Sequence, residues 1–223
     1  MIEHVYRRVA AAPSVDRVLV ATDDPRIVEA VEAFGGGVQL TRRDHASGSD
    51  RIAEVAAGLD SDVIVNVQGD EPLLEVSMVE QVIASLAEDP AVEMATLRCR
   101  IVDPAELSDP NVVKVVVDRD GRALYFSRWP IPYVRSSRVP GLLHAEVAFY
   151  KHIGLYAYRR QFLLAFAALE PTPLEQAESL EQLRALEHGY RIRTALSARG
   201  SVGVDTIEDL ERVRRILAGG ARA

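Results

Sequence analysis

The chain has 223 residues, 48% of them hydrophobic and 26% charged, with a formal net charge of -7. That length and balance suit a soluble globular protein with a real core, and no apolar run is long enough to span a bilayer. The acidic balance argues against a general nucleic-acid binder, which needs a basic face, while leaving room for a local basic pocket that takes an anionic small molecule.

In chain order, "IEHVYRRVAAA" (2–12) reads as a helix with Ile2, Val5, Tyr6 and Val9 on one stripe. Its opening has no secretory core, because Glu3, Arg7 and Arg8 interrupt it. "DRVLVATD" (16–23) reads as a buried strand, and "DPRIVEAVEAFGGG" (24–37) as a helix with Pro25 in its first turn and glycines closing it. "VQLT" is a short strand. "SGSDRIAEVAAGL" (47–59) is a helix capped by Ser47 or Ser49. "DVIVNVQ" (62–68) is a strand and "VSMVEQVIASLAED" (76–89) a helix. Such alternation predicts an α/β unit built on a parallel sheet.

The texture then changes. "EMATLRCRI" and "VVKVVVDRDGRALYFS" read as strands, the second folding at Asp120-Gly121 as a hairpin. "HIGLYAYR" (152–159) is a strand, and "RQFLLAFAAL" and "TPLEQAESLEQLRALEHG" are helices. "RIRTALSA" returns to strand and "TIEDLERVRRIL" closes with a helix. The segment at 134–147 reads as a mobile loop. The expectation is a single α/β domain over 1–223 whose later part adds antiparallel strands. Cys99, the only cysteine, makes no internal disulfide and fits a reducing cytoplasm.

Several residues carry chemistry. In "VNVQGDEP", Asp70 follows a strand and a glycine, where ligands of parallel sheets sit. It is either a hard oxygen ligand for Mg²⁺ bound with substrate phosphates or an acid in a polar turn. In "GVDTIEDL", Asp205 is a second such carboxylate or a helix cap, because Asp205 or Thr206 with an acid three residues on makes a capping box. Ser47, Gly48 and Ser49 open a helix that can receive an anion or a ribose hydroxyl, or can simply be capped. Arg128 follows a strand and can grip a carboxylate bidentately, or it is a surface arginine. His152 and Tyr156 share one face of a strand, left open by Gly154. Glu181 falls among small and apolar positions of a helix running from Leu174 to His188, so it is paired, faces a polar cavity, or lies at a boundary.

"VNVQGDEP", "HASGSDR", "ALYFSRWPIP", "HIGLYAYR", "LEQLRALEHG" and "GVDTIEDL", in this order, closely resemble the 3-deoxy-manno-octulosonate (KDO) cytidylyltransferases. The resemblance covers essentially the whole chain, and the pair "YFSRWPIP" and "HIGLYAYR" is the specific part. It implies a Rossmann-like, mostly parallel nucleotidyltransferase sheet with added antiparallel strands. It implies conversion of CTP and KDO to CMP-KDO and pyrophosphate with Mg²⁺, for lipopolysaccharide synthesis, by a cytoplasmic homodimer that engages neither nucleic acid nor membrane. Asp70 and Asp205 match the metal ligands and, with Arg128, the catalytic group. Gln68, Ser47, Gly48, Ser49 and Arg51 match the nucleotide contacts. Arg128, His152, Tyr156, Glu181 and Gln182 match the sugar-acid pocket. The family's first strand and phosphate loop precede the helix that "MIEHVYRRV" matches, so both are expected to be absent from this sequence, which then reads as truncated at its N-terminus. The alternatives are a non-catalytic remnant that binds sugar or protein, a cytidylyltransferase for another acid sugar, or a glycosyltransferase with a similar nucleotide fold, although "GDEP" is not the Asp-x-Asp pair of the last.

Overall fold

The computed structural model describes residues 1–135, 147–201, 203–204 and 206–220. The chain divides into two compact units, each assembled from separate stretches. One comprises Met1–Leu59, Val67–Glu80 and Ser201–Ala223, and the other Asp60–Asn66 and Gln81–Gly200.

The first unit opens with α1 (Ile2–Ala10), β1 (Val20–Thr22), α2 (Pro25–Glu32), β2 (Val38–Leu40) and α3 (Gly48–Ala57). On α1 the apolar stripe buries Val5 and Val9, while Tyr6 turns its ring edge onto Phe34 at 5.4 Å. The Tyr6 hydroxyl donates to Val18 O at 3.4 Å and accepts from Gly37 N at 3.0 Å. A side chain at Gly37 would come within 2.8 Å of Val18 O, so the close approach of β2 to β1 needs glycine there. Asp24 caps α2, its carboxylate accepting from Arg26 N at 2.9 Å, with Pro25 in the first turn. Gly35, at φ 75°, and the bond from Gly36 N to Val31 O stop that helix, as the glycine run predicts. β1 and β2 pair in parallel, Val20 opposite Val38. The closing helix α9 (Ile207–Gly220) is capped by Thr206, whose Oγ1 accepts from Asp209 N at 3.2 Å while its own N–H donates to the Asp209 carboxylate at 3.1 Å. Of the two caps the sequence allows, Thr206 makes the reciprocal box.

The second unit is a six-stranded mixed sheet in the order β6-β5-β7-β4-β8, with β3 also on β7. Its strands are β3 (Val63–Asn66), β4 (Met94–Arg100), β5 (Lys114–Val117), β6 (Ala123–Ser127), β7 (Tyr150–Arg159) and β8 (Ile192–Ser197). β7 is the hub. It runs antiparallel to β3, β4 and β5, and β4 in turn runs parallel to β8. The β5–β6 hairpin turns at Gly121, φ 79°, as Asp120-Gly121 predicts. Helix α4 (Val76–Glu88) begins in the first unit and ends in this one, burying Met78, Val79, Val82 and Leu86. A short helix that the sequence reading lacks, α5 (Pro104–Ser108), is capped by Asp103 and puts Leu107 in the core. Helix α6 (Arg160–Phe166) lays Phe162, Leu163 and Phe166 inward, with Phe162 and Phe166 stacked near Tyr158. Among the described residues β1 pairs only with β2 and β3 only with β7.

One expectation is corrected. The helix drawn from Leu174 to His188 is two helices, α7 (Pro173–Glu178) and α8 (Gln182–Glu187). Ser179 stands between them in the left-handed region at φ 51°, and Leu180 N closes back on Glu175 O at 3.1 Å. The break lets Leu180 and Leu183 both reach the core, each stabilising it by roughly 1.5–3 kcal/mol. Arg184 ties the halves together, giving two hydrogen bonds to Glu175 at 2.8 and 2.5 Å across two nearly buried side chains. Most of the loop predicted at 134–147 lies outside the described residues.

Candidate active site

In the first unit, Ser47 caps α3, its Oγ accepting from Asp50 N at 3.1 Å. Gly48 is the first helical residue, with open space where a side chain would stand, and Ser49 is buried. Arg51, one turn in, is already committed. It donates to Thr41 Oγ1 at 2.5 Å and Arg42 O at 3.2 Å and pairs with Asp23 at 3.2 Å. Arg51 therefore braces the segment ahead of α3, and direct contact with a nucleotide would compete with those bonds. A second brace went unnoticed in the sequence. The His45 ring, 4% exposed, contacts the Glu54 carboxylate, and that contact is the main cause holding the Glu54 carboxyl below its ordinary range.

Past Asn66 the chain leaves β3 and turns. Gln68 is exposed, its carbonyl accepting from Glu71 N at 3.4 Å. Asp70 is half-buried, and its backbone carbonyl accepts from Val204 N at 2.9 Å. That bond joins the two stretches carrying "GDEP" and "GVDT". Asp205 itself lies outside the described residues. Glu71, next to Asp70, accepts from Ser201 Oγ at 2.8 Å; burial, with Asp70's charge adding to it, pushes its carboxyl up. Carboxylates are hard oxygen donors of the kind that Mg²⁺ takes when phosphate oxygens and water supply most of its ligands. Among the described residues there is no group of three or more His, Cys, Asp or Glu side chains that could hold a metal.

The second unit gathers the remaining residues. His152 and Tyr156 project from one face of β7 with ring centroids 5.3 Å apart, and Phe126 closes on the His152 ring at 5.1 Å. Gly154 between them has open space where a Cβ would go. His152 Nε2 lies 3.0 Å from Thr96 Oγ1, which also lies 3.0 and 2.9 Å from the Ile153 and Leu155 carbonyls. A hydroxyl has one proton, and two carbonyls compete for it, so Nε2 carries a proton and donates to Thr96. Burial holds the imidazolium down to about 3, which keeps His152 neutral with Nδ1 as an acceptor. Burial, then Tyr158 and the Glu181 charge, hold the Tyr156 phenol proton on well above its ordinary value. Glu181 is the half-buried residue before α8, and Gln182 is 5% exposed with a buried Nε2 that has no hydrogen-bond partner. The helical periodicity invoked for Glu181 does not place it; the break at Ser179 does.

Arg128 behaves differently from a free grip. Its Nε donates to Glu178 O at 2.7 Å, Nη1 to Pro110 O at 3.0 Å and Nη2 to Ser179 O at 3.3 Å. Three of five N–H donors are spent on carbonyls, leaving two for a ligand. Glu178 and Thr96 were not singled out from sequence. An acid two residues before a "LEQLR" run and a threonine inside an apolar strand carry no pattern of their own.

Residues 1–192 match the cytidylyltransferase family. The 3-deoxy-manno-octulosonate cytidylyltransferase of Syntrophotalea carbinolica is 56% identical over 221 residues, covering 98% of this chain and 88% of the relative. That of Geobacter metallireducens is 54% identical over 217 residues, covering 96% and 85%. A solved structure of CMP:2-keto-3-deoxy-manno-octonic acid synthetase complexed with CTP superposes with a TM-score of 0.90 at 46% identity, covering 98% of this chain and 88% of the other.

Proposed function

The chain belongs to the 3-deoxy-manno-octulosonate cytidylyltransferase family, and from that premise we propose that it joins CTP to KDO and how its residues divide the reaction. The anomeric hydroxyl of KDO attacks the α-phosphorus of CTP. An oxygen–phosphorus bond forms, the bond to the β-phosphate oxygen breaks, pyrophosphate leaves in line, and the hydroxyl proton passes to solvent. No protein nucleophile is required, so catalysis is positioning and charge stabilisation.

In the first unit, Ser47, Gly48 and Ser49 at the start of α3, with Gln68, receive the nucleotide, and Arg51 holds that segment in place. Asp70, with Asp205, would hold Mg²⁺, which when bound offsets the triphosphate charge that repels an anionic sugar. In the second unit, His152 and Tyr156 meet the sugar hydroxyls as a neutral acceptor and a neutral donor, with Glu181 and Gln182 beside them. The two free N–H groups of Arg128 are left for the sugar carboxylate. The observation that carries this reading is the Gln182 amide: a buried donor without a partner costs stability unless a ligand satisfies it. Replacing Gln182 with Ala should raise the KM for KDO and leave that for CTP unchanged; equal KM values for wild type and variant would refute the assignment.

We assign the enzyme to the cytoplasm, where CTP is made, as a homodimer supplying lipopolysaccharide assembly. Exposed Trp129 and Tyr133 give the second unit apolar surface for a subunit contact. No helix among the described residues is long and apolar enough to cross a membrane.

A further inference from the structure

Glu178 lies outside every residue given a role above, yet both of its carboxylate oxygens are engaged. Oε1 accepts from Ser127 Oγ at 2.6 Å and from the Tyr125 hydroxyl at 3.4 Å, and Oε2 accepts from Arg128 N at 2.8 Å. Two of the donors belong to β6 and the third is the residue that follows it. The return contacts run the other way, from the Arg128 guanidinium to the carbonyls of Glu178 and Ser179. Two segments about 50 residues apart thus hold each other through side chains given in both directions, at least one of each set charge-assisted. Beneath them Lys114, with no exposed surface, gives its ammonium protons to Asp109 O at 2.8 Å and Val112 O at 2.6 Å and adds positive charge beside Glu178.

Only Ser179 and Leu180 separate this latch from Glu181. Ser179 is in the left-handed conformation and Leu180 is buried, so neither can absorb a shift of Glu178 without strain or lost packing. Where Glu178 is held therefore decides where Glu181 and Gln182 stand. We propose that Glu178 is a positioning residue for the sugar-acid half of the site, fixing the turn that presents Glu181 and Gln182. The proposal rests on the sugar reading of those two residues.

The test measures initial rates of pyrophosphate release by the gene product, with KDO varied at saturating CTP and CTP varied at saturating KDO. The proteins are wild type, Glu178→Gln, Ser127→Ala, their double variant and Gln182→Ala. Glu178→Gln should raise the KM for KDO about tenfold, the effect of losing one charge-assisted bond, and leave the KM for CTP unchanged. Ser127→Ala should move the same constant in the same direction, with the double variant falling short of the product of the two. If Gln182→Ala raises the KM for KDO while Glu178→Gln leaves it alone or shifts both KM values equally, the positioning role is overturned and the sugar reading stands. If Gln182→Ala leaves the KM for KDO unchanged, the sugar reading fails and takes the proposal with it. Should Glu178→Gln not fold, Ser127→Ala decides, and an unaltered KM for KDO overturns the proposal.

Discussion

His152 gives its Nε2 proton to Thr96 Oγ1 across 3.0 Å, from β7 to β4, and that bond leaves Nδ1 as the acceptor nitrogen of the ring. The same burial that orients the ring suppresses its charge. The folded protein holds the imidazolium near 3, whereas the unfolded chain protonates at the ordinary histidine value of 6.5. Between those values the unfolded state binds the extra proton. Stability from this group is thus present above pH 6.5 and is lost as pH falls toward 3. Thermal melts of wild type and His152→Gln should show the wild-type Tm falling several degrees further between pH 6.5 and 4.5. Parallel pH profiles would mean His152 is not held neutral.

Asp70→Asn should leave the far-ultraviolet circular dichroism and Tm unchanged while turnover falls by about 100-fold or more, since a ligand of the cation outweighs a supporting contact. Chelation of divalent ions should abolish wild-type turnover, and Mg²⁺ should restore it. A folded Asn variant with full activity would remove Asp70 from the metal site.

Ser179 pays a conformational cost that glycine does not. Ser179→Gly should stabilise the protein by about 0.5–1 kcal/mol, and Ser179→Val should destabilise it, because a β-branched residue resists the left-handed region. Urea denaturation of the two variants checks both signs.

The alternation of "DVIVNVQ", "VSMVEQVIASL" and their neighbours made the α/β class legible, because strand and helix periods differ and need no tertiary knowledge. The Asp120-Gly121 turn, Pro25 in the first turn of α2 and the serine cap of α3 were equally local. Pairing direction was not. β7 is antiparallel to β3, β4 and β5, and nothing in "HIGLYAYR" says which strands flank it. The break at Ser179 was hidden because "TPLEQAESLEQLRALEHG" is composed of good helix formers, and the burial of Leu180 and Leu183 overrides that preference. At the candidate site, the motifs point to residues but not to the partners those residues hold. The resemblance matches Arg51 to a nucleotide contact and Arg128 to the sugar-acid pocket, and in the structure both also brace the chain.

Thr206→Ala should cost about 1 kcal/mol by removing the cap of α9, since Asp209 N then loses its acceptor. Chemical denaturation reads the loss directly. A stability equal to wild type would show that α9 does not depend on this box.

The central claim is tested most directly by the product itself. The gene product, supplied with CTP, Mg²⁺ and either KDO or a sialic acid, should release pyrophosphate and form the CMP-sugar only with KDO. CMP-sugar formed from the sialic acid in preference to KDO would contradict the account.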